Sequence, residues 1–498
     1  MLIIIREGFL LVGSPTSSDA CLAATITFDS SPTALVAHFK MAELRNLPPE
    51  TILHIVSYLL PDYTPGKELL DKLKSDCLIQ KELCDQRRAL ASLARTCRRY
   101  YNLLIPFLYK SVSVHCGASA PRQWLSLMKT LLHNKDLCRL VKQLYIHFDS
   151  NRTLVSPTIR ADAYVRDMVS LETWLKKVCK PNADISRPFE VSSALLFTFA
   201  SNTQDFTLSA FGLSLSASLD AIHDVDKILL NHQTSESTFS SLKSVSLRKG
   251  HWDPSSHWTG SRERWLTARF ITRARNLREA HLVRAALEFP NPPSTNLTTL
   301  ALSNCTISLP ILANAIRACP KLEKFFWKKQ RRWDLHPHTI PPWLILGALG
   351  IRRATLRTLV IDFDGACGRV TQVPAVELSA FTNLEEAWVD ISVFDKDRGN
   401  YTDTESDPLD PTVVQGSPLI RTLPSSIRKL HLSGAMTDFI YEEVLWLARA
   451  GMNKTRHIPE DFALDGGYLD GNMFKLYDHR NNDQHLPTTV LDRQPFLW

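Results

Sequence analysis

The chain is predicted to be an α/β protein in which a short helical module at residues 41–114 precedes a stack of strand-and-helix units over residues 115–450. Three observations predict it. A wide apolar helical stripe opens at Pro49, a six-residue frame of the form apolar-x-x-apolar-x-apolar recurs seven times further on, and helical stretches separate most of the recurrences. Residues 1–40 mix Ser, Thr and Ala without a steady period and are expected to be a poorly structured extension. Residues 451–498 lose the frame and are expected to form a cap or tail.

Composition bounds the classes that follow. At 498 residues the chain has room for several domains, and 22% charged with 44% hydrophobic residues fits an ordinary water-soluble protein. No stretch reaches the roughly 18 uncharged apolar residues of a membrane span, so no membrane partner is expected. Met1 to Leu11 is interrupted by Arg6 and Glu7, and no cleavage-site pattern follows, so a signal peptide is not expected. The ten cysteines contain no C-x-x-C pair and no spacing with histidines that suits zinc. They read as reduced, mostly buried thiols, which places the protein in the cytosol or nucleus. Neither a metal nor a cofactor is expected.

The module begins at Leu47-Pro48-Pro49-Glu50. Pro49 suits a first helical position, where its missing N–H has no intrahelical partner to lose. Ile52, Leu53, Ile55, Val56, Leu59 and Leu60 then form a stripe wider than one contact layer needs, and Pro61 stops it. After a turn at Pro65-Gly66, Leu90, Leu93, Ala94, Cys97, Tyr101 and Leu104 repeat at helical spacing until Pro106. A few short helices of this size bury too little surface to be stable alone, so an external partner is expected to cover part of the stripe.

The succession of Leu47-Pro48-Pro49-Glu50, a helix over Ile52–Leu59, a second helix over Leu90–Tyr101 and the exit Pro106-Phe107-Leu108-Tyr109 resembles the F-box. That is the helical module by which substrate receptors join Skp-cullin-F-box ubiquitin ligases. The resemblance covers roughly a seventh of the chain, and the charged stretch from Lys67 onward is longer than the family usually carries. It implies a Skp-type adaptor and, through it, a cullin as partners. The adaptor-binding residues would be Leu47, Pro48, Pro49, Glu50, Ile52, Leu53, Ile55, Val56, Leu59, Leu93 and Cys97.

Beyond the module, Trp124 to Leu144 reads as a helix running into an alternating strand at Leu140–Phe148, and Thr153 to Lys180 as a second helix. Residues 185–230 resist parsing, although Leu195-Leu196-Phe197-Thr198-Phe199 looks like a strand. The repeated frame follows, starting at Leu242, Leu277, Leu297, Leu322, Leu356, Leu384 and Ile427, with steps of 20 to 43 residues. Helices are expected at Trp265–Arg275, Leu309–Cys319, Trp343–Ile351 and Tyr441–Ala450, and the acidic stretch 395–418 reads as a loop insertion. Leu297-Thr298-Thr299-Leu300-Ala301-Leu302 continues as Ser303-Asn304-Cys305, which resembles a leucine-rich repeat. One strand with one helix cannot close a core, so such units stack into a solenoid, with parallel strands on the concave side and helices on the convex side.

Chemistry is not signposted. The chain carries no phosphate-binding glycine loop, dinucleotide fingerprint, Gly-x-Ser-x-Gly elbow or His-Glu-x-x-His helix. His336 and His338 beside Asp334 read as a surface turn, and Asp362 and Asp364 as acceptors at a strand end. What the F-box resemblance implies is a non-catalytic receptor that holds an unknown protein substrate on its repeats. Two alternatives stay open: a repeat scaffold outside ubiquitination, and a nucleic-acid binder. The second would use the basic and aromatic run Lys324 to Trp333, aided by Arg262, Arg264, Arg269, Arg273, Arg275 and Arg278. A net charge of +7 is too small to favour it alone.

Overall fold

The computed structural model describes residues 2–6, 9–13, 48–59, 89–116, 120–148, 161–181, 183–210, 214–228, 236–249, 261–285, 295–305, 307–329, 340–362, 378–390, 423–433 and 461–465. The chain divides into two compact units, residues 1–110 with 496–498, and residues 111–495.

In the first unit, β1 (Leu2–Arg6) and β2 (Phe9–Gly13) pair antiparallel as a two-stranded sheet of their own. Three helices among the described residues follow: α1 (Pro49–Leu59), α2 (residues 89–94) and α3 (Arg98–Lys110). The Ile52 N–H donates to the Pro48 carbonyl at 3.2 Å, so Pro49 occupies the first helical position, as its fixed φ favours. The single helix expected over Leu90–Tyr101 is two helices. Thr96 turns the chain between them by donating both its N–H, at 3.1 Å, and its hydroxyl, at 2.7 Å, to the Leu93 carbonyl. Pro106, expected to end the second helix, instead lies inside α3. The lost hydrogen bond is tolerated because continuing the helix packs Phe107 and Leu108 beside Leu104 on the unit's core.

The second unit is a sheet of eleven strands among the described residues: β3 (Ser111–Cys116), β4 (Gln143–Phe148), β5 (Asp205–Ala210), β6 (Ser244–Lys249), β7 (Glu279–Val283), β8 (Thr299–Ser303), β9 (Lys324–Lys328), β10 (Thr358–Asp362), β11 (Glu386–Asp390), β12 (Lys429–Ser433) and β13 (Asp461–Asp465). Every neighbouring pair is parallel, and spatial order is chain order. All seven framed segments are strands β6 to β12, and the alternating segment before them is β4. The sheet begins at Ser111, within the stretch assigned to the helical module, and includes Asp461–Asp465 from the stretch expected to be cap or tail.

Helices join the strands: α4 (Ala120–His133), α5 (Lys135–Leu140), α6 (Ala161–Val178), α7 (Pro188–Phe199), α8 (Ser214–His223), α9 (Val225–Ile228), α10 (Glu236–Ser241), α11 (Ser261–Arg273), α12 (Leu309–Ala318) and α13 (Pro342–Leu349). The helix expected over Trp124–Leu144 is broken at Asn134, whose side chain accepts from the Leu137 N–H at 3.2 Å and restarts the chain as α5. The strand expected at Leu195–Phe199 is the end of α7. All twelve residues of α7 are buried, and a helix covered on every side shows no amphipathic period to read. The helix expected over Tyr441–Ala450 and the insertion 395–418 lie outside the described residues.

One bonding pattern joins the units of the sheet. At the entries of β5 to β12 one backbone carbonyl accepts from two successive N–H groups of the next unit: Lys142 from Gln204 and Asp205, Gln204 from Lys243 and Ser244, Lys243 from Arg278 and Glu279. It continues through Arg278, Thr298, Glu323, Arg357 and Glu385, with distances of 2.7 to 3.0 Å. A polar side chain just before the frame adds a second tie to the preceding unit. Asn276 donates to the Ser240 carbonyl at 2.6 Å, Asn296 to Arg275 at 3.0 Å, Thr355 to Leu322 at 2.8 Å, Asn383 to Ala354 at 2.6 Å and Ser426 to Leu384 at 2.8 Å. The fourth and sixth frame positions form one buried face, from Leu144 and Ile146 on β4 to Leu430 and Leu432 on β12. Around Phe197 the core holds Phe206, Phe239 and Phe270 at ring-centroid distances of 4.9, 5.1 and 5.7 Å.

Candidate functional sites: a helix face and a sheet face

On α1 the apolar stripe divides. Ile52 and Val56, four residues apart, are 2% and 0% exposed and pack with Leu90, Ala94, Tyr100 and Leu104. They are core residues of the helical unit rather than members of an adaptor-binding surface. The cause is simple: α2 and α3 supply the cover that the stripe was expected to take from another molecule. Pro48, Pro49, Glu50 and His54 are exposed and Leu53 is half-buried, which leaves a mixed apolar and acidic face at the start of α1. Leu93 and Cys97 are half-buried and lean on the same core. Leu47 and the side chains of Ile55 and Leu59 lie outside the described residues.

On the sheet, alternate residues of each strand point away from the buried face and form three rows, at the third, fifth and seventh frame positions. The middle row of the C-terminal strands is aromatic and apolar: Phe326, Val360, Trp388 and His431 are neighbours by register, and the rings of Trp388 and His431 lie 3.8 Å apart. Ion pairs flank it, Lys328 to Asp362 at 3.2 Å on one side and Lys429 to Glu386 at 3.0 Å on the other. Asp362 is thus held by a lysine of the preceding strand. Asp364, His336 and His338 lie outside the described residues.

Three aromatic residues of the run proposed for nucleic-acid stacking are folded away. Phe325, Phe326 and Trp327 are 0%, 7% and 4% exposed, so none offers a ring face to a base. Of the arginines, Arg273 lies 4.4 Å over the Phe239 ring and Arg269 lies 4.9 Å over Trp265, while Arg275 and Arg278 are exposed. The side chains of Arg262 and Arg264 and the residue Trp333 lie outside the described set.

The five cysteines whose side chains are described are free thiols, four of them buried. Burial pushes the Cys179 thiol up to about 11 and that of Cys305 up to about 12, which removes nucleophilic thiolate at neutral pH. Cys305 instead ties two units together, because its Sγ donates to the Leu282 carbonyl of the neighbouring strand at 3.1 Å. It follows Asn304, whose φ of 53° turns the chain off β8, and Arg284 makes the equivalent turn after β7 with φ 54°. No helix among the described residues is long and apolar enough to cross a membrane. The polar ladder before the frame is absent from the sequence-based expectations, although Asn, Ser or Thr preceding the first apolar position was legible at Asn276, Asn296, Thr355, Asn383 and Ser426.

Comparison with protein-family models and with curated protein sequences finds no match to this chain.

Proposed function

We propose that the protein is the substrate-recognition subunit of a Skp-cullin-F-box ubiquitin ligase, in a reducing compartment, the cytosol or nucleus. On this reading the helical unit is an F-box-like module and the sheet unit is an irregular leucine-rich-repeat-like solenoid. The observation that carries it is the pairing of a small helical unit opened by Pro48-Pro49-Glu50 with parallel strands stacked in chain order by one repeated backbone bond. Stacking of that kind is how units that cannot close a core individually share one. The adaptor would take the exposed face of α1 around Pro48, Pro49, Glu50 and Leu53 in a helix-in-groove contact. The sheet unit would hold the target near the conjugating enzyme, and its contribution to the reaction is proximity.

Because Ile52 and Val56 belong to the core, the substitutions that test this reading lie elsewhere on the helix. Leu53→Asp combined with Glu50→Lys alters the α1 face without touching the core. Co-purification of the Skp-type adaptor and cullin is expected to fall by at least about thirtyfold, the effect of losing about 2 kcal/mol at a contact hot spot. Far-ultraviolet circular dichroism should stay unchanged. Undiminished adaptor recovery with the doubly substituted chain refutes the proposal. Bacterially produced adaptor should be used, so that binding is direct.

A further inference from the structure

We propose that the strand-entry edge of β4 to β8 binds an acidic run of a partner polypeptide. The proposal stands independently of the ligase reading. The residues immediately before the strands form one row by register. Over β4 to β8 the row reads Lys142, Gln204, Lys243, Arg278 and Thr298, with cations but no carboxylate. Over β9 to β12 it reads Glu323, Arg357, Glu385 and Arg428, alternating in sign, and Arg357 pairs with Glu385 at 3.8 Å. The second half of the edge balances its charge internally and the first half does not.

Two further cations join the first half. Asn296 Nδ2 donates to the Arg275 carbonyl at 3.0 Å while its Oδ1 accepts from Lys321 Nζ at 3.3 Å, which brings Lys321 to the turn that carries Arg275 and Arg278. Lys243, Arg275, Arg278 and Lys321 are exposed and Lys142 is half-buried. Lys243 Nζ donates to Gln204 Oε1 at 3.2 Å, so both bonded lysines meet neutral amides that leave their charge uncompensated. Among the described residues no ion pair engages any of these cations. Lys243 and Arg278 precede paired residues of adjacent strands, about 4.8 Å apart, and like charges so placed repel. An anionic partner removes that repulsion. The carboxylates next along the chain belong to the following row and are engaged there: Asp205 accepts from Gln143 Nε2 at 3.3 Å, and Glu279 lies 3.7 Å from His281. From Lys142 to Arg278 the row crosses three strand spacings, about 14 Å, which an extended peptide covers in about four residues. A nucleic acid fits less well, because unpaired bases take ring faces to stack on and this row carries none.

Fluorescence anisotropy of a labelled oligoglutamate peptide with the full-length protein, against an oligoglutamine peptide of equal length, tests the proposal. The glutamate peptide should bind at least about tenfold tighter, and added salt should erase the difference by screening exposed charges. Lys243→Ala with Arg278→Ala should weaken it at least about fivefold, as two exposed ion pairs imply. Arg357→Ala with Arg428→Ala removes the same charge from the balanced half of the row and should leave the affinity unchanged. All four side chains are exposed, so the melting temperature should hold in both variants. Should the first variant melt early, Arg275→Glu, exposed and outside the row, should weaken the glutamate peptide by a similar factor. Equal binding of the two peptides overturns the proposal. So does an equal loss in the two doubly substituted chains, which would report net charge and no site. A single-stranded oligonucleotide of the same charge that binds as tightly as the glutamate peptide also overturns it, by assigning the edge to nucleic acid.

Discussion

At the scale of single residues, burial decides which positions on α1 serve the fold and which are open to a partner. Val56 is 0% exposed, so Val56→Asp places an unpaired charge in the core of the helical unit and should cost several kcal/mol. Limited proteolysis is expected to cut the variant rapidly between residues 48 and 110 while Leu53→Asp resists. His223 gives a second case. It is 5% exposed, donates from Nε2 to the Leu266 carbonyl at 3.2 Å and packs against the Phe239 and Phe270 rings, and burial pushes it from 6.5 down to about 4. Between those values the unfolded chain binds a proton that the folded chain refuses. Stability is therefore full above about pH 6.5 and falls as the pH drops toward 4, by up to about 3 kcal/mol. Urea titrations across that window should show the slope in the parent protein and a shallower one in His223→Phe.

At the scale of elements, α7 shows both what packing demands and what a sequence hides. Phe197 touches three other phenylalanine rings, so Phe197→Ala should cost about 3 to 5 kcal/mol and lower the melting temperature of the sheet unit. The same burial explains why Leu195–Phe199 reads as a strand: with every side covered, periodicity carries no signal. Strands β6 to β12 were legible because each places apolar residues at the first, fourth and sixth positions of one frame. Strand β5 was not, since Thr203 stands where its neighbours carry an apolar residue at the first frame position. The module helices were legible from Pro49 and the stripe, but which side of the stripe faces inward was not, because that depends on where α2 and α3 fold back. The polar ladder gives a milder expectation. Asn276→Ala removes one exposed side-chain tie and should cost about 1 kcal/mol, read as a small drop in melting temperature.

At the scale of the whole molecule, the two units divide the proposed work, so damage to one should spare the other's folding. Val56→Asp should leave near-ultraviolet signals from the buried Trp124 and Trp327 unchanged. The doubled hydrogen bond at the entries of β5 to β12 makes the units interchangeable. Each carbonyl is an identical socket for the unit that comes after it, so the length of the array is adjustable only in whole steps. Excising residues 279–298 brings Arg278 directly before Thr299 and offers its carbonyl to Glu323 and Lys324 in place of the one removed, and cooperative melting should survive. Shifting the same excision by ten residues leaves sockets and plugs out of phase, and the shortened chain should not assemble.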